Sequence, residues 1–223
     1  MFPIRDDVPS RTYPYATLGL IILNTFIFIL QFGHRMSDPA GAAGAIASFG
    51  MVPARVAEGR LWPFLTSMFM HGGWFHLIGN MWYLWIFGDN VEDRLGHAKF
   101  IVFYVACGLL GNLGHFLSSP GSAVPAIGAS GAIAGVLGAY IISYPRARIL
   151  VVIPLFVFLH LMSVPAMLVL GFWFIIQLAS GAISLGQSGA HGGVAWWAHI
   201  GGFLAGMALL NVMRPRPRLL YRR

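Results

Sequence analysis

The sequence predicts an all-α polytopic membrane protein: a bundle of six transmembrane helices with a structured first extracytoplasmic loop. Three observations carry that expectation. The 223 residues are 57% hydrophobic and only 9% charged, against about 25% charged in an ordinary soluble domain. Mean hydropathy is +0.74, and the apolar residues gather in runs at 15–33, 73–91, 98–117, 130–144, 164–184 and 195–213. The basic residues are divided unevenly between the connections, which is the mark of membrane topology. A soluble domain is excluded. The net charge of +7 sits in short segments between apolar runs and forms no patch interleaved with aromatics, so no nucleic-acid partner is expected. Cys107 is the only cysteine, so there is neither a disulfide framework nor a thiolate metal cluster.

Each element follows in order. Residues 1–14 form a cytoplasmic N-terminal lead, and its Asp6 and Asp7 argue against reading the first run as a cleaved signal peptide. The runs are continuous, not alternating, which in lipid means helix. The segment 34–62 mixes Gly, Ala, Pro and charges and is expected to be a structured loop with short helices in the interface. The fourth run is short, because Ser130 lies about 22 Å above Pro145 at 1.5 Å per residue, while a bilayer core is about 30 Å thick. Residues 15–213 make one membrane domain without internal repeats. The basic tail 214–223 is expected to meet anionic headgroups, at about 1 kcal/mol per basic residue.

Charge sets the orientation. Arg5, Arg11, Arg94, Lys99, Arg146, Arg148, Arg214, Arg216, Arg218, Arg222 and Arg223 share one side of a six-span topology. The other side carries only Arg35, Arg55 and Arg60. Eleven against three places both termini in the cytoplasm. A chain with no added domains suggests a bacterial inner membrane.

Ser130, in Gly128-Ala129-Ser130-Gly131, opens the fourth run, and His199 lies within the last. Each is fifteen residues from the cytoplasmic end of its span, so hydroxyl and imidazole are predicted at one height. Gly128, Gly131, Gly135 and Gly138 make a small-residue stripe, as do Ala198, Gly202 and Gly206 on the last run. Such stripes let helix backbones approach closely in lipid. A serine hydroxyl needs a base to become a nucleophile, and a neutral histidine can take its proton and return it to a leaving amine. Histidine inside a membrane is rare and usually functional. His76 and Asn80 are four apart on one face of the second run, at heights that bracket Ser130. With the Ser130 amide they could donate to an oxyanion, each donor contributing about 3 to 4 kcal/mol in the transition state.

Other chemistries fit less well. There is no H-E-x-x-H, no acid lies within a span, and His71 and His76 are expected to diverge around a helix, so no metal and no cofactor is predicted. The absence of intramembrane acids also removes an aspartyl protease and leaves no evident third triad member, so a Ser–His dyad is the expectation. A transporter would favour inverted repeats, which are not seen. His34, His97, His115, His160 and His191 are placed at loops or interfaces without a catalytic role.

At these residues the chain resembles the rhomboid family of intramembrane serine proteases. The likeness rests on Trp62, His71, His76, Asn80, Glu92, Arg94 before Gly96, Ser130 in G-x-S-G, and His199 in A-H-x-x-G, all in one order. It implies a six-helix bundle with Ser130 as nucleophile, His199 as base, and an oxyanion site of His76, Asn80 and the Ser130 amide. It also implies that His71 is structural. Pro63 stands where many members of that family carry arginine. The substrate implied is a single-span membrane protein cut at or near its transmembrane segment, where poor helix formers let the chain unwind. The fifth run and the connection with Gly186, Gly189, Gly192 and Gly193 are the expected moving parts. The alternative is a non-catalytic relative that binds membrane proteins.

Overall fold

The computed structural model describes residues 2–56, 58–155, 158–185 and 194–213. Within these the chain is mostly helical. Six helices have fourteen or more residues: α1 (Tyr15–Ser37), α5 (Trp74–Leu95), α6 (His97–Ser118), α7 (Ser130–Ser143), α8 (Ala166–Leu185) and α9 (Trp196–Val212). Their bounds lie within a few residues of the apolar runs. Three of them, α1, α6 and α8, are long and apolar enough to cross a membrane, and α7 and α9 are shorter apolar helices. The C-terminal end of α5 carries Asp89, Glu92, Asp93 and Arg94; Asp89 falls inside the run 73–91, so the expectation that no acid lies within a span is corrected there.

The segment after α1 contains short helices: α2 (Pro39–Phe49), α3 (Pro53–Val56), α4 (Pro63–Thr66) and a 3₁₀ turn at Ser67–Phe69. Trp62 Nε1 donates to the Ser48 carbonyl at 3.2 Å, and Thr66 Oγ1 donates to that of Phe49 at 2.7 Å. Met51 and Ala126 exchange backbone hydrogen bonds of 3.0 and 2.8 Å, tying this loop to the one that leads into Ser130.

The bundle's centre is α7. Nearly all its residues are buried, and it meets α9 along the glycine stripe. A Cβ at Gly202 would lie 1.9 Å from the Gly131 carbonyl oxygen, and one at Gly206 1.9 Å from that of Gly135. Only glycine permits that backbone approach, the packing expected where lipid supplies no apolar drive.

The basic end of the bundle differs from expectation. The N-terminal lead is not a plain tail: β1 (Phe2–Asp6) pairs antiparallel with β2 (Arg148–Leu155), which pairs antiparallel with β3 (Phe158–Pro165). The stretch from 148 is rich in Val and Ile, and such residues fit a pleated, half-buried surface. The sheet is fastened to the helices: Trp82 Nε1 donates to the Pro3 carbonyl at 2.6 Å, and the Tyr140 hydroxyl on α7 donates to Asp6. Glu92 accepts the amides of Ala16 and Thr17 at 2.9 and 2.7 Å, placing a carboxylate at the positive end of α1. Asp93 accepts the amides of Arg11 and Thr12. The glycines at 186–193, His191 and the tail 214–223 lie outside the described residues.

Candidate active site

Ser130 is the first residue of α7, so its amide belongs to a turn whose N–H groups lack intrahelical acceptors. His199 lies one turn into α9. The close approach of these two helices brings the Ser130 hydroxyl and His199 Nε2 to 2.8 Å. The equal heights counted along the two runs thus correspond to a direct hydrogen bond. His199 is buried, and Ser130 is partly open to a cavity of about 440 Å³ lined by His76, Asn80, Ser130, His199 and the loop Pro125–Ile127.

His76 and Asn80 project into this cavity from α5. The Gly72 amide donates to His76 Nδ1 at 3.4 Å, which leaves Nε2 as the protonated, donating nitrogen. Asn80 Nδ2 is buried and has no hydrogen-bond partner among the described residues. A buried donor without an acceptor is costly, and here it faces the space beside Ser130. Gly128 permits this closeness: its φ is +125°, and a Cβ there would stand 2.7 Å from His76 Nε2.

His71 corrects one expectation. It precedes α5 instead of lying on it, and its ring packs edge-on against that of His76 with centroids 5.2 Å apart, so the two do not diverge. Gln31 of α1 clasps its main chain, donating to the carbonyl at 2.8 Å and accepting from the amide at 3.2 Å. No group of three His, Cys, Asp or Glu side chains suited to a metal comes together among the described residues. His34, His97 and His160 are exposed, and His97 pairs with Glu92. His115 ends α6.

One contact escaped the sequence. Gln177, on α8, places Oε1 2.7 Å from His199 Nδ1. Gln177 is the one amide in an otherwise apolar helix, which was the available signal. Trp173 of the same helix lies against the imidazole, with ring centroids 5.8 Å apart, and Trp196 meets it edge-on. A second cavity of about 250 Å³ runs from Ser130 outward between α5 and α8, past Phe75, Tyr83 and Trp173.

The family model described as the Rhomboid domain matches residues 58–216. The chain is 35% identical over 128 residues to the "Rhomboid protease GluP" of Bacillus subtilis, covering 57% of this chain and 24% of that protein. It is 37% identical over 86 residues to the "Putative rhomboid protease YdcA" of the same organism, covering 39% and 43%. The "RHOMBOID-like protein 5" of Arabidopsis thaliana is 30% identical over 166 residues, covering 74% and 48%. The chain thus spans less than half the length of each of these relatives.

Proposed function

The chain belongs to the rhomboid family, and on that premise we propose that it is an intramembrane serine endopeptidase acting on single-span membrane proteins. The observation that carries the reading is the 2.8 Å contact between Ser130 Oγ and His199 Nε2. In this mechanism His199 takes the Ser130 proton as the oxygen attacks a peptide carbonyl. The oxyanion forms beside Asn80 Nδ2, His76 Nε2 and the Ser130 amide, donors set in place before charge develops. His199 then gives its proton to the leaving amine, and a water activated by the same imidazole releases the acyl group. No metal or cofactor enters any step.

The six long helices form the membrane domain, 15–213, with both termini cytoplasmic, and a bacterial inner membrane is the proposed location. Family membership and the protease names of the Bacillus relatives support the enzyme over a non-catalytic binding factor. The cavity between α5 and α8 is the route by which an unwound substrate segment reaches Ser130. The test is cleavage of a membrane-anchored reporter by purified protein in liposomes. Ser130→Ala and His199→Ala should each lower kcat by about 10⁴-fold or more, as when other serine hydrolases lose a catalytic member. Cutting by either variant at the wild-type rate ends the assignment.

A further inference from the structure

We propose that Gln177 is the positioning residue of His199, and that it makes the competence of the Ser130–His199 pair depend on the seating of α8. This rests on the serine-protease reading above. The argument begins with the amide itself. Gln177 Nε2 donates to the Trp173 carbonyl one turn back at 3.2 Å, so Oε1 is the atom turned toward the imidazole. A carbonyl oxygen accepts and does not donate, so His199 Nδ1 must carry the proton. Nε2 is then left with its lone pair toward the Ser130 hydroxyl, the tautomer that a general base requires.

Both partners are buried, Gln177 at 4% and His199 at 8% exposed, so water does not compete for Nδ1. The other groups around the ring are the indoles of Trp173 and Trp196. The ionisable neighbours His76 and His115 act only through space. A soluble serine protease uses a carboxylate at this position. An amide supplies the same acceptor oxygen without burying a charge in lipid, where a charge is expensive.

The placement has a second consequence. Nucleophile and base sit on α7 and α9, which are locked by backbone contact, whereas the orienting oxygen comes from α8. The outward face of α8 consists of exposed apolar side chains such as Leu168, Phe172 and Ile175. Trp173 of α8 lines the cavity that reaches Phe75, and any displacement of α8 would take Oε1 away from Nδ1. The pair is therefore set for attack only while α8 keeps Oε1 at Nδ1.

The experiment compares Gln177→Leu and Gln177→Glu with wild type in liposomes, using the reporter and a soluble fluorophosphonate that labels Ser130 directly. Gln177→Leu should lower kcat about 30- to 100-fold with KM changed less than about threefold, and should slow labelling by a similar factor. That loss is smaller than the roughly 10⁴-fold seen when a triad carboxylate is replaced by an amide and the wrong tautomer forms. Gln177→Glu, which keeps the acceptor, should recover to within about tenfold of wild type on the same scale. ¹⁵N spectra of the Ser130→Ala protein should show His199 protonated at Nδ1, and a mixture of tautomers once Gln177→Leu is added. The proposal is overturned if Gln177→Leu labels at the wild-type rate, if only KM rises, or if the tautomer is unchanged. It is also overturned if a folded Gln177→Glu is as slow as Gln177→Leu. A wild-type protein that neither cuts nor labels would instead defeat the protease reading, and the tautomer spectra would still decide the role of Gln177.

Discussion

The seam between α7 and α9 and the flank formed by α8 meet at the same histidine but are built by opposite rules. Along the seam, small residues bring backbone against backbone, and a single methyl group has nowhere to go at Gly202 or Gly206. Along α8 the side chains are large and many face outward, while Gly171 has nothing within 4 Å of a would-be Cβ. The seam holds Ser130 Oγ and His199 Nε2 at a hydrogen-bonding distance, which on the proposed mechanism requires rigidity. On the proposed mechanism the flank is the side by which a substrate segment enters, and it packs against the core through few residues, among them Ala166 and Leu170. The contrast teaches that one histidine is held by backbone packing on one side and by large side chains on the other.

The largest expected effect breaks the seam. Gly202→Ala sets a methyl 1.9 Å from the Gly131 carbonyl oxygen, so α9 must move away from Ser130. Overpacking of this kind costs about 1 to 3 kcal/mol and occasionally more. Melting in detergent should fall by several degrees, and cutting should drop at least 100-fold, since an imidazole about 1 Å farther away no longer serves the hydroxyl. Gly171→Ala on α8 is the matched control. It should leave cutting within about twofold of wild type and raise the melting temperature slightly, because alanine is a better helix former by about 1 kcal/mol. Equal damage from both substitutions would erase the distinction between seam and flank.

Next in size is a donor that belongs to neither region. Asn80 reaches the site from α5 with its Nδ2 buried and unpartnered among the described residues. Asn80→Ala should lower kcat by about 10² to 10³-fold with little change in KM, the pattern of an oxyanion donor. A change confined to KM would make Asn80 a substrate-binding group instead. His76→Ala should cost less than the histidine-to-alanine change at His199, because it removes a donor while the base remains.

How much of this was legible in the sequence differs between the same regions. The seam was legible because glycine spacing and the depth of Ser130 and His199 are one-dimensional quantities. Counting residues along a helix at constant rise is enough to predict that two atoms share a height. The role of Gln177 was not, because its meaning depends on how α8 is rotated against α9, and no periodicity within one helix encodes that. The three-stranded sheet was missed for a related reason. Its Val- and Ile-rich strand sits among apolar helices, and a short continuous apolar run does not by itself separate strand from helix. The pairing of β1 with β2 joins residues about 150 apart in sequence, so the lead at 2–6 gives no local sign of its partner.

The smallest expected effect tests how firmly the seam is anchored at its basic end, where Asp6 of β1 accepts from Tyr140 of α7. Burial pushes the Asp6 carboxyl up from 3.8 to about 7, an effect that the Tyr140 hydrogen bond only partly opposes. A carboxyl whose folded pKa lies above its unfolded value binds more protons when folded. Its contribution to stability is therefore complete below about pH 4 and is lost as pH rises through about 7. The melting temperature in detergent should fall by a few degrees between about pH 5 and pH 8. Asp6→Asn removes the titrating proton and should flatten that slope, leaving the reporter cut at nearly the wild-type rate at pH 7. If the slope survives in Asp6→Asn, the pH dependence belongs to another group. If the slope vanishes in Asp6→Asn and Gly202→Ala alone keeps the wild-type difference between pH 5 and pH 8, the seam and its anchor contribute independently. That result is expected for a backbone contact that carries no charge.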